Sequence, residues 1–116
     1  KMAAVDLSGV ATPANGVHIV RVAMEAVAGN VTQVTPPVWA TRMTLQIKKA
    51  DESTDDVGKI ASSGTQGAAI GNDWIEIAAG ALYTTAIAKV GNRAGGSFYI
   101  TEATGSGFAH MSFELV

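Results

Sequence analysis

The sequence of 116 residues contains no cysteine. That excludes disulfide stapling, zinc–thiolate sites and thiol nucleophiles. Charge is scarce: Asp, Glu, Lys and Arg make up 16% of the chain, where about a quarter is usual. The net charge is −2, and Lys48-Lys49 is the only adjacent basic pair. Gripping nucleic acid requires several converging Lys or Arg to neutralise phosphates, so no nucleic-acid partner is expected. No stretch approaches the ~18 uninterrupted apolar residues of a membrane helix, so no membrane partner is expected either. Lys1 to Asp6 lack the long apolar run of a signal peptide.

What is present is apolar and small. Hydrophobic residues make up 47% of the chain, 20 of them Ala, and Gly adds 13 more. Alanine normally favours helix, but here it is interleaved with Thr, Val, Ile and Gly instead of Leu, Glu and Lys. A folded chain of 11.9 kDa exposes about 6,000 Å² of the roughly 17,000 Å² of its extended form, enough burial for one core and too little for two. Mean hydropathy is +0.23, high for so small a domain, and predicts apolar surface covered by another subunit.

Residues 1–16 read as an arm. Gly9, Pro13 and Asn15-Gly16 break any period, while Val5, Leu7 and Val10 supply apolar contacts. Two readings stand: a frayed terminus, or an extended strand ordering against a neighbouring subunit, which makes these three residues candidate interface positions. Residues 17–116 form the body. Val17 to Val27 fits a loose alternation or a helical stripe; β-branched residues crowd its first half, so it is assigned to strand. Val31 to Thr35 is a short extended piece stopped by Pro36-Pro37.

Val38 to Lys48 carries the clearest signal. Trp39, Thr41, Met43, Leu45 and Ile47 alternate with Ala40, Arg42, Thr44, Gln46 and Lys48, a period of two that places one face on a core. Asp51 to Asp56 reads as a solvated acidic loop, and Ser62 to Gly67 as a flexible connector open to proteases. Trp74 to Ile77 is a short strand ending at Ala79-Gly80. Ala81 to Val90 alternates again, with Leu82, Thr84, Ala86, Ala88 and Val90 on one side. Turns are expected at Gly91-Asn92 and at Thr104 to Gly107, flanking a strand at Phe98 to Thr101. Ala109, Met111, Phe113 and Leu115 alternate with His110, Ser112 and Glu114. Strands punctuated every eight to twelve residues or so predict an all-β chain: a compact antiparallel β-sandwich, jelly-roll-like, with an extended N-terminal arm.

Catalytic and metal motifs are weak throughout. Asp51, Glu52, Asp55 and Asp56 offer hard oxygen ligands, but their spacing does not match an EF-hand loop. His18 and His110 fall on different strands, with no thiolate to complete a zinc site. There is no Gly-x-Ser-x-Gly elbow and no P-loop. Gly105 to His110 begins like a dinucleotide fingerprint, then places His where the third Gly belongs, between strands. Glu25, Asp73, Glu76, Glu102 and Glu114 permit a carboxylate pair in space, as any chain does. The expectation is a protein that is not an enzyme and takes no cofactor. Among the aromatics, Trp39 lies on a core face. Trp74, beside Asn72-Asp73 at a strand start, is the candidate ligand-facing ring of a carbohydrate-binding or tail-fibre module. Asn30-Val31-Thr32 matches the N-glycosylation sequon.

Val38-Trp39-Ala40-Thr41-Arg42-Met43-Thr44-Leu45-Gln46, then Trp74-Ile75-Glu76-Ile77-Ala78-Ala79-Gly80 and Phe98-Tyr99-Ile100, resemble the small β-sandwich capsid decoration (cement) proteins of tailed bacteriophages. The resemblance covers residues 38–116. It implies a homotrimer at three-fold positions on the outer surface of the virion's capsid, clamping major capsid protein subunits, with no catalytic residues.

Overall fold

Alternation decides the architecture. The computed structural model describes residues 2–87 and 96–116, and every regular element among them is a strand. In chain order they are β1 (Val5–Asp6), β2 (Val17–Ala23), β3 (Thr32–Thr35), β4 (Arg42–Lys48), β5 (Gly58–Ala61), β6 (Trp74–Ile77), β7 (Tyr83–Ala86), β8 (Phe98–Glu102) and β9 (Phe108–Glu114). One sheet has the order β1-β3-β8-β5-β6, the other β2-β9-β4-β7. Apart from the β5–β6 hairpin, each step from β2 to β9 crosses to the opposite sheet. The result is a jelly-roll sandwich to whose β3 edge the N-terminal arm adds β1.

The register explains the core. Met43 pairs with Phe113, Leu45 with Met111 and Ile47 with Ala109 across β4–β9. Paired residues in an antiparallel ladder share a face, so all six point inward and are buried. Ile60 and Ile100 meet them from the five-stranded sheet, with Val34 on β3 and Ile77 on β6 completing the layer. Gly58 is crowded from its own sheet and from the opposite one: a Cβ there would lie 2.4 Å from the Thr101 carbonyl oxygen on neighbouring β8 and 3.0 Å from the Ile47 side chain on β4. That crowding requires glycine.

Several expectations are refined. The Val17 segment is strand, as read, but ends at Ala23; one last backbone bond in the same register, from the Met24 N–H to the Gly107 carbonyl, lies just beyond it. Residues 38–41 are not strand: the Ala40 N–H donates to Pro37 O in a turn that still buries Trp39. The connector after Ala61 is folded back over the outer face of the five-stranded sheet. Val31 donates to Ala68 O and accepts from Gly67 N, and Gly64 bridges Ile70. The acidic loop is exposed through Asp55, but Asp56 is buried, because its N–H joins the Ile47 carbonyl and draws the chain inward. Leu115, continuing the alternation of β9, lies past the strand end and is half exposed. Ala88, Val90 and the turn at Gly91-Asn92 lie outside the described residues.

Candidate functional site

Val5, Leu7 and Val10, the candidate interface residues, lie along the N-terminal arm. Val5 pairs in parallel with Val34, and the Leu7 N–H donates to Thr35 O at 2.9 Å. All three side chains are half-buried against the core of their own chain. The Trp39 indole N–H closes the arm by donating to Val10 O at 2.8 Å. The neighbour that orders this arm is its own sandwich.

Trp74 stands at the free end of β6, on the outer face of the five-stranded sheet, in one row with Ala61 and Tyr99. The residue is 43% exposed. The Lys59 ammonium lies 4.1 Å from the ring centroid, a cation–π contact that occupies one face of the indole. Lys59 and Glu76, paired across β5–β6, also border a cleft of about 240 Å³ walled by Ile70, Thr101 and the Ala28-Gly29 turn. The ring expected to face a ligand is therefore exposed, but it is not an empty stacking platform.

A second feature lies on the flank where β6 and β7 meet. Among the described residues each has a single hydrogen-bonded neighbour, β5 for β6 and β4 for β7, so both are edge strands. Between them the sandwich opens into a mouth of about 220 Å³ lined by Ile60, Ile75, Tyr83 and Phe98, with Asp73 at the rim. Ile75 is 57% exposed although it shares the inward face of β6 with buried Ile77, and Leu82 just before β7 is 66% exposed. An edge strand offers unpaired backbone groups to another chain. An apolar rim beside it adds non-directional adhesion. Sequence reading singled out Trp74 alone. Ile75 and Ile77 look equivalent in the alternation, and only their position on the flank separates them.

The other candidates disperse. Asp51 is absorbed by its own loop, accepting from the Ser53 and Thr54 N–H groups and the Thr54 hydroxyl at 2.8–3.0 Å. Those bonds, the Thr54 hydroxyl foremost, hold its carboxyl below the usual range. Glu52 accepts from Arg21 at 2.7 Å and lies 3.1 Å from His110 Nε2, while Asp55 pairs with Lys48. His18, in register with Phe113, takes the core side of β2, whereas His110 faces outward. Among the described residues no three His, Asp or Glu gather as a metal-binding group. At the sequon, Asn30 Nδ2 donates to Gly67 O and Thr32 is fully buried, so its acceptor amide is engaged and its hydroxyl unreachable.

One constellation was not visible in the sequence. Glu102 closes β8 with its carboxylate inside the sandwich, 2% exposed. Its Oε1 accepts from the Gly105 N–H at 2.6 Å and the Gly107 N–H at 3.2 Å, and Oε2 accepts from the Thr104 N–H at 3.1 Å. Asp56 faces it. Burial and the Asp56 carboxyl push Glu102 above the usual glutamate range against those three donors. Burial also pulls Asp56 upward, but the Glu102 carboxyl, the Thr104 hydroxyl, the Val57 N–H and the Lys49 charge outweigh it and hold Asp56 low.

Comparison with protein-family models, with curated proteins and with solved structures finds no match.

Proposed function

We propose that this chain is a non-enzymatic virion structural protein, a capsid decoration (cement) protein. It acts as a homotrimer on the outer surface of a phage head, bound to the major capsid protein. The single observation that carries this reading is the open β6–β7 flank, where half-exposed Ile75 lines an apolar mouth between two edge strands, with Trp74 on β6 and Leu82 just before β7 also exposed. Such a surface suits polypeptide contact. The sequence resemblance over residues 38–116 supports the same reading. Jelly rolls serve both capsid and lectin domains, so the fold does not choose between them and the surface must. A standard interface takes about 800 Å² from each partner; contacts on two sides of a trimer subunit would then cover about a quarter of its 5905 Å² surface. Several such contacts per trimer give avidity even where each is weak.

The test is light scattering on the full chain and on an Ile75→Lys, Leu82→Lys double variant, alongside co-sedimentation with undecorated phage heads. The expected result is a trimer that binds heads, and a variant that is monomeric, folded and unbound. A wild-type monomer without affinity for heads would overturn the reading. Trp74-dependent binding on a glycan array would replace it with the carbohydrate-binding alternative.

A further inference from the structure

Asp56 is 6% exposed, and its Oδ1 accepts from the Val57 N–H at 2.8 Å. Its Oδ2 is the one buried side-chain polar atom without a hydrogen-bond partner among the described residues. The Thr104 hydroxyl and the Lys49 ammonium both act on Asp56, yet neither reaches Oδ2 as a donor. The group facing it is the Glu102 carboxyl. Two ionised carboxylates confronting each other in a buried pocket repel, and Asp56 Oδ2 is left unsatisfied. A single hydrogen between them removes both penalties.

We propose that Asp56 and Glu102 form a proton-binding site, sharing one proton that latches the β8–β9 turn to the β4–β5 loop at this end of the sandwich. Three backbone N–H groups already fill most of the acceptor capacity of Glu102 and leave Oε2 one direction free. That single opening suits a proton. A hard dication would want about six to eight oxygens, and among the described residues no third acidic or histidine ligand joins the pair. The other charged groups around the pair are engaged elsewhere: Lys48 with Asp55, and Glu25 with the Gln66 amide at 2.7 Å. Glu25 joins the latch through its backbone, its carbonyl accepting from the Ser106 N–H. The Glu102 carbonyl accepts from the Gly29 N–H, so the loop after β2 is tied to the same point.

The raised Glu102 carboxyl keeps its proton in the folded chain beyond about pH 4.3, where an unfolded glutamate releases it. Stability from this group is therefore complete below that pH and is lost as pH rises through the folded value. The depressed Asp56 acts in the opposite sense, its contribution being lost as pH falls through its own folded value. Together they place a stability maximum between the two titrations of the pair.

The test is urea unfolding of the full chain across pH, with an Asp56→Asn variant. In that variant Nδ2 takes the place of the shared proton and donates to Glu102, while Oδ1 keeps Val57. The wild-type folding constant should fall as pH rises above about 4.3, at no more than about tenfold per pH unit, the limiting slope for one proton, and level off once Glu102 ionises. The variant should be flat over that range. A flat wild-type profile, or an equal slope in the variant, overturns the proposal. So does saturable stabilisation by Ca²⁺ alone, which would make the site a cation site. Should Asp56→Asn fail to fold, carboxyl carbon NMR of the wild type decides: a side-chain carboxyl that titrates above the ordinary glutamate value of about 4.3 supports the shared proton, and its absence refutes it.

Discussion

Replacing Val5, Leu7 and Val10 together by Ala tests whether the arm belongs to its own core. Complete burial of such a side chain is worth about 1.5–3 kcal/mol. These three are half-buried on the core cluster, which leaves about 1 kcal/mol each after truncation to Ala, or about 3 kcal/mol in all. The backbone bonds from Leu7 to Thr35 and from Trp39 to Val10 survive the substitution, so no buried donor is orphaned to inflate the loss. At about 2.1 cal/mol/K of unfolding entropy per residue, 3 kcal/mol over this chain lowers the melting temperature by roughly 12 °C. The assay is thermal and urea unfolding followed by tryptophan fluorescence, repeated over a hundredfold range of protein concentration. Trp39, under Val10, reports the arm directly. The loss should be the same at every concentration, because the contacts lie within one chain. A loss below about 0.5 kcal/mol, or one that appears only at concentrations where subunits associate, would show that the arm packs on a neighbour and that the reasoning is wrong.

Two further variants probe the frame itself. Leu45→Asp or Phe113→Asp should abolish cooperative unfolding by circular dichroism, since an unpaired carboxylate in the middle of the core costs several kcal/mol; a soluble, cooperatively folded product would mean the inward faces are misassigned. Gly105→Ala should destabilise by more than about 1 kcal/mol in urea, because φ is +91° there and the added Cβ would sit 2.4 Å from the Ala26 carbonyl oxygen. A neutral result would show that the turn relaxes freely.

The legible part of the fold is the part governed by alternation over many residues. β4 and β9 repeat their apolar positions three times each, and a slip of one residue would expose the whole set, so their inward faces could be read directly. β5 was harder: Gly58-Lys59-Ile60-Ala61 is four residues long, begins with glycine and has only Ile60 as a large apolar anchor. β1 is shorter still, and its pairing depends on β3 presenting a free edge, a fact of topology. The candidate site was legible only at Trp74, whose aromatic bulk marks it. Asp51 and Asp56 share one local composition, yet one is wet and the other buried. Their difference comes from the chain turning back to Ile47, which no local pattern encodes. Glu102 likewise looks like an ordinary strand-end glutamate until the Thr104–Gly107 turn wraps its amides around it.

The chain ends leave the sandwich at opposite poles. The Met2 carbonyl accepts from Gln66, beside Glu25 at the pole where β9 begins, whereas the Val116 N–H donates to Thr41 where β9 ends. Seven residues of β9 separate those poles, about 23 Å at strand rise. Tension applied between the two ends therefore runs along the strands. It loads the two-residue β1–β3 ladder and the seven-residue β2–β9 ladder in shear, so that the hydrogen bonds of each must fail together instead of unzipping one after another. A body pulled along that axis resists as a rivet does, and the same domain gripped across its sheets would peel.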